Sequence, residues 1–131
     1  IEQRKRSKVE GLIANNYSDR WGFDKEDAVT AFLDVGSQFI ALGITELEPQ
    51  HEINDGVATV TTRLKIAGTG TPVAQLVIRR SNQLKEPFVF EWKKQNWWPG
   101  SWRLTKIDNP DLPENLDGYE PGDIKRMMSP E

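Results

Sequence analysis

The sequence has no cysteine and a single histidine, His51. The first absence excludes disulfides, zinc-thiolate centres and thiol nucleophiles; the second excludes His-rich metal sites. No apolar run approaches the roughly 18 residues needed to cross a bilayer, so a transmembrane segment is not expected. A strong charge of either sign is also missing: 17 basic against 20 acidic residues give a net charge of −3, too mild to call for a nucleic acid or polyanion partner. There are no internal repeats, and strands do not alternate with helices as a parallel nucleotide-binding sheet requires. What remains is a chain of 131 residues, 37% hydrophobic and 28% charged, a composition that suits one folded domain. The chain begins at Ile1 rather than Met. A removed signal peptide or lipoprotein leader would account for this, placing the domain outside the cytoplasm, and so would a trimmed boundary. The compartment stays open.

Periodicity divides the chain into a helical and an extended half. Val9, Leu12, Ile13 and Tyr17 recur at helical spacing and predict a first helix ending near Asn15-Asn16. The basic cluster Arg4-Lys5-Arg6-Lys8 reads as its solvated face. Asp24 is a natural N-cap for a second helix, with Glu26 and Asp27 favouring the positive end of its dipole. Ala28, Val29, Phe32, Leu33 and Val35 give that helix a broad apolar face. From about residue 40 the period becomes two. A first strand runs to Ile53, and Asn54-Asp55-Gly56 predicts a type I′ hairpin turn. The second strand sets Ala58, Val60, Thr62, Leu64 and Ile66 on one face. Ala67 to Pro72 reads as a turn, since no helix is expected after its glycines and a phosphate loop needs one. Strands are then expected over 73–80, 87–94 and 101–107. After Ile107 a Pro- and acid-rich tail follows, with seven acids and two bases from Asp108 to Glu131. It reads as an extended wrap or a flexible end, with one helical turn over 123–128.

Two helices followed by an antiparallel meander make an α+β roll. This pattern resembles the nuclear transport factor 2-like superfamily, also described as the cystatin-like or ketosteroid-isomerase-like cone. The resemblance rests on Leu12-Ile13-Ala14-Asn15-Asn16-Tyr17-Ser18-Asp19, on the acid-capped helix from Phe23 to Leu33, and on the closing hairpin. That hairpin runs Phe88-Val89-Phe90-Glu91-Trp92-Lys93-Lys94, then Gly100-Ser101-Trp102-Arg103-Leu104. The resemblance implies two N-terminal helices packed on a curved antiparallel sheet of about five strands, spanning residues 1–108, with 109–131 as a tail. The chain departs from it in leaving little room for a third helix before the long strands. The superfamily contains isomerases, dehydratases, binding domains and interaction modules, so it does not assign an activity.

Enzymes of that cone use a carboxylate base with an acidic donor in an apolar cavity. Here Tyr17 is the candidate donor, and Asp34, Glu46 and Glu48 are the nearest candidate acids. Against them stand a core tyrosine and solvated acids. No acid falls on the predicted inner face of the last strands, which carries Phe88, Phe90, Trp92, Trp102 and Leu104. Catalysis is therefore the lesser reading. His51, in Gln50-His51-Glu52, reads as a partly exposed strand-end residue without a partner for metal or base chemistry. The aromatics are unusual: Trp92, Trp97, Trp98 and Trp102 lie in one hairpin. Trp92 and Trp102 fit a core or pocket wall, whereas Trp97-Trp98 sits at a turn where two indoles are hard to bury. Ligand contact, a protein interface and tail docking all fit it. Lys85, Lys93, Lys94, Arg103 and Lys106, with Arg63, Arg79 and Arg80, form a basic set resembling a nucleic-acid surface, which the acidic balance of the chain opposes. Asn16-Tyr17-Ser18 matches a glycosylation triplet, a pattern common by chance. The expectation is thus a binding domain without a cofactor. It would take a small apolar ligand or a protein partner and pair as a homodimer through its open sheet face. The alternative is an isomerase or lyase built on the Tyr17–carboxylate pair.

Overall fold

The computed structural model describes residues 2–113, 116 and 119–124. Helices α1 (Glu2–Glu10) and α2 (Lys25–Gly36) precede strands β1 (Phe39–Asn54) and β2 (Val57–Gly70). Helix α3 (Pro72–Asn82) and strands β3 (Phe88–Lys94) and β4 (Trp102–Asp108) follow. The four strands form one antiparallel sheet in the order β1-β2-β3-β4. Among the described residues the architecture is α+β, with these three helices and an open sheet.

Helix α2 begins where its caps dictate. The Asp24 side chain accepts from Asp27 N at 3.0 Å, and the Asp27 side chain accepts from Asp24 N at 3.2 Å, a reciprocal capping box. The predicted hairpin turn also forms, with Asp55 and Gly56 both at positive φ (49° and 76°), as type I′ requires.

Several expectations are corrected. Helix α1 stops at Glu10 rather than near Asn16, because Gly11 opens a turn and the chain then pairs with the sheet. Ile13 bridges Leu104 in parallel, with Leu104 N donating to Leu12 O at 2.8 Å and Ala14 N to Leu104 O at 2.9 Å. Residues 73–80 are helical, not extended. Thr71 caps α3 by accepting from Ala74 N at 3.3 Å, and Pro72 occupies the first turn, where its missing N–H costs nothing. The third helix is therefore present, the sheet has four strands rather than about five, and Arg79 and Arg80 lie on a helix, outside any basic strand face. Asn82 clamps the end of α3 to β2 by bonding both Ile66 N and Ile66 O at 2.9 Å.

Packing divides the sheet into a covered and a bare half. Ile13, Tyr17, Ala28, Val29 and Leu104 form the buried cluster, with Phe23, Leu33, Phe90, Trp92 and Ile107 packed against it. This core lies over β3 and β4, whose outer edge the chain around Ile13 partly covers. At the opposite edge, β1 is exposed along its whole length except Phe39. The register sets Leu42 opposite Gly68 and Ile44 opposite Ile66, so their side chains share the face of β2 that α3 covers, yet both stay exposed.

The described part of the tail runs through turns and is tied to the rest of the chain. Asn109 is fully buried, donating to Glu86 O at 3.1 Å and accepting from Asp111 N at 2.8 Å. Arg20 ion-pairs with Asp108 at 2.9 Å, donates to Asn109 O at 2.9 Å and also bonds Leu112 O. Trp21 Nε1 donates to Pro113 O at 3.2 Å. Asp123 and Ile124 open the predicted helical turn, whose residues 125–128 lie outside the described ones.

Candidate functional site

Tyr17 lies at the inner end of the chain segment that bridges β4, and it is 4% exposed. Its hydroxyl donates to Asp19 Oδ2 at 2.6 Å. Burial first, and then this carboxylate, push the phenol well above its ordinary pKa. Asp19 is itself committed, because Oδ1 accepts from Trp21 N at 3.0 Å and Phe23 N at 3.1 Å and so shapes the connector into α2. Asp34, buried on α2, accepts from Tyr119 Oη at 2.6 Å and from Ile124 N at 3.1 Å. Burial, and next Asp34, raise Tyr119 in the same way. Glu46 and Glu48 are both exposed on β1, Glu48 at a bulge where its φ is 52°. The hydroxyl of Tyr17 thus goes to Asp19 and to none of Asp34, Glu46 or Glu48. His51 sits opposite Val60 on the same exposed strand. Among the described residues no three His, Asp or Glu side chains gather as metal ligands would.

Two clefts among the described residues are of note. The larger, about 310 Å³, lies between the end of α1, Lys25 and the β3–β4 turn, and is lined by polar groups including Asn15, Gln95, Asn96 and Ser101. The smaller, about 190 Å³, is lined by Leu47, Leu64, Leu84 and Phe88, with Arg63 and Glu86 among its polar members. Neither is lined by Tyr17, Asp34, Glu46 or Glu48.

No family model matches the sequence, and no curated protein matches it. Solved structures do resemble it in shape. The Bdellovibrio bacteriovorus protein Bd1075 superposes at a TM-score of 0.56 with 9% identity over 82% of this chain; the chain spans about a third of that protein, 33% of its length. A nuclear transport factor 2-like protein from Cytophaga hutchinsonii gives 0.50 with 14% identity, covering 80% of each chain. A Nostoc punctiforme protein of unknown function with a cystatin-like fold gives 0.51 with 14% identity, covering 85% of this chain and 81% of that one. The fold is nuclear transport factor 2-like.

Within this fold the aromatic hairpin separates into two sets. Phe90 and Trp92 pack on the core, Phe88 stacks on Phe90 with centroids 5.9 Å apart, and Trp102 is half-buried. Trp97 and Trp98 meet edge-to-face at 5.7 Å and stand in solvent, 81% and 60% exposed. Sequence reasoning missed Asp19 and Tyr119, the groups that hold the two tyrosine–carboxylate pairs. For Asp19 a signal exists: an Asp two residues before Trp21 can accept from that backbone N–H as an Asx turn does. Nothing local points from Tyr119 to Asp34.

Proposed function

We propose that this domain is a non-catalytic interaction module that self-associates through the uncovered β1 side of its sheet. The observation carrying the reading is β1 itself: an edge strand of 16 residues with Ile40 88%, Leu42 48%, Ile44 58% and Ile53 70% exposed. Its first part, Phe39 to Thr45, carries no charge, whereas Glu46, Glu48 and Glu52 follow within the next residues. Charges normally protect an edge from pairing, and that uncharged stretch has none. Burying Ile40, Leu42 and Ile44 from two copies is worth about 1–2 kcal/mol per side chain, on the order of 6–12 kcal/mol in all, comparable to the entropic cost of association. The commitment of Asp19 and Asp34 to tyrosine hydroxyls and backbone N–H groups supports binding over proton-transfer chemistry.

Sedimentation equilibrium of the wild-type chain and of Ile40→Lys/Ile44→Lys tests this. A micromolar dimer that the variant turns into a folded monomer is expected. A wild-type chain monomeric throughout the micromolar range overturns the reading. The smaller cleft favours a second reading, uptake of a small apolar molecule between Leu47, Leu64, Leu84 and Phe88. Native mass spectrometry of the purified chain would register it as added mass that Leu64→Lys abolishes.

A further inference from the structure

The β3–β4 hairpin has a charge character unlike the rest of the chain. From Trp92 to Ile107 it carries Lys93, Lys94, Arg103 and Lys106 and no acid, in a chain whose net charge is −3. Lys93 and Arg103 are paired directly across the two strands. Like charges in that relation repel, and the acid beside them is Glu91, 3.7 Å from Lys93. Arg103 is also held in place, donating to Gly100 O and Trp102 O at 2.8 Å each. Its guanidinium is thereby fixed at the base of the turn bearing Trp97 and Trp98.

That turn holds its indoles outward on a built framework. Trp98 N donates to Asn96 Oδ1 at 2.8 Å, Ser101 N donates to Trp98 O at 3.0 Å, and Ser101 Oγ donates to Asn96 O at 3.0 Å. Ser101 itself is buried. The neighbouring β1–β2 turn is tied to the same end of the sheet by Lys94 N donating to Gly56 O at 2.9 Å. It brings exposed Ile53, together with Asp55, to that end. One end of the molecule therefore combines a protruding pair of indoles, an exposed isoleucine and three cations.

The geometry points to this end of the sheet as a peripheral docking surface for an anionic lipid bilayer. Indole rings prefer the headgroup level, where the apolar body meets acyl chains and the N–H meets water or ester oxygens. Lys93 and Arg103 on one face of the hairpin and Lys94 on the other then flank the indoles and meet lipid phosphates, which relieves the repulsion between Lys93 and Arg103. No described helix is long and apolar enough to cross a membrane.

The test uses the full chain with vesicles of phosphatidylcholine alone and of phosphatidylcholine mixed with phosphatidylglycerol, read by co-sedimentation and tryptophan emission. Binding to the mixed vesicles, with a blue shift and quenching by brominated lipid, is expected. Trp97→Ala/Trp98→Ala should abolish pelleting while circular dichroism stays native, since both rings are in solvent. Lys93→Gln/Lys94→Gln should weaken partitioning by roughly thirtyfold, about 1 kcal/mol per cation. Ile40→Lys/Ile44→Lys should leave it unchanged, so failure of self-association and failure of membrane binding are separable. The proposal is overturned if the mixed vesicles do not pellet the chain, or if the double Trp variant binds as well as wild type. Retention on a single-stranded oligonucleotide without vesicle binding overturns it in favour of nucleic acid.

Discussion

Replacing Asp34 by Ala removes the acceptor on which the C-terminal segment is seated. The Asp34 carboxylate takes the hydroxyl of Tyr119 at 2.6 Å and the backbone N–H of Ile124 at 3.1 Å. Hydrogen bonds to a charged group contribute roughly 1.5–3 kcal/mol each. Both donors are only half-buried and regain water when the segment lifts, and deleting Asp34 also removes a carboxylate whose burial is costly. The net loss should therefore fall at the low end, about 2 kcal/mol. With a urea dependence of roughly 1–2 kcal/mol per molar for a domain of this size, the unfolding midpoint drops by about 1–2 M. Limited proteolysis should cut beyond residue 113 in Asp34→Ala at protease levels that spare the wild type. Tyr119→Phe alone should lose less, and the double variant should be far from additive, because both changes break the same bond. An unchanged midpoint together with an unchanged cleavage pattern would refute this account of how the tail is held.

Tyr17 and Tyr119 are the only tyrosines of the chain, and burial followed by a carboxylate partner pushes both above the ordinary value of 10.0. The unfolded chain ionises them near pH 10 and the folded one does not, so stability falls as pH rises past about 10, by about 1.4 kcal/mol per pH unit for each phenol, and is untouched below it; tyrosinate absorbance appearing near pH 10 with native circular dichroism would contradict this. Gly70→Ala places a Cβ 2.2 Å from Gln38 O and 2.9 Å from Ala74 Cβ, at the junction of β1, β2 and α3. A destabilisation of about 1–3 kcal/mol should follow, read as a lowered Tm in calorimetry, and an unaltered Tm would show that the junction is loosely packed.

The elements legible in the sequence are those specified by adjacent residues. Asp24 and Asp27 mark the start of α2 because a capping box is a four-residue device, and Asp55-Gly56 marks the hairpin because both residues tolerate positive φ. Helix α3 was hidden by its composition: Val73, Val77 and Ile78 are β-branched, and a strand reading of 73–80 accommodates them. The competing signal was Thr71-Pro72, an N-cap followed by proline in the first turn. The sequence offers Tyr17 as a candidate donor or a core aromatic, but its hydrogen-bond partner is set by local geometry two residues on rather than by a distant acid. Asp34 was recognised as an acid of interest, yet its partner is 85 residues away and no spacing rule reaches that far. The division of the four hairpin tryptophans was legible because strand alternation places Trp92 and Trp102, whereas a turn has no buried side.

The seating of the tail has a kinetic side. Its contacts join Arg20 to Asn109 and Leu112, and Asp34 to Tyr119 and Ile124, across 85 to 92 positions of chain. Their acceptors and donors are far apart in sequence, so these contacts are expected to form after the rate-limiting barrier, with φ-values near zero for Asp34→Ala and Tyr119→Phe in a chevron measurement. Interactions made that late leave the rate of folding alone and slow the rate of unfolding. The C-terminal segment is then a brake on opening: a chain that has lost it refolds as quickly as before but comes apart sooner, and its lifetime shortens more than its speed of formation reveals.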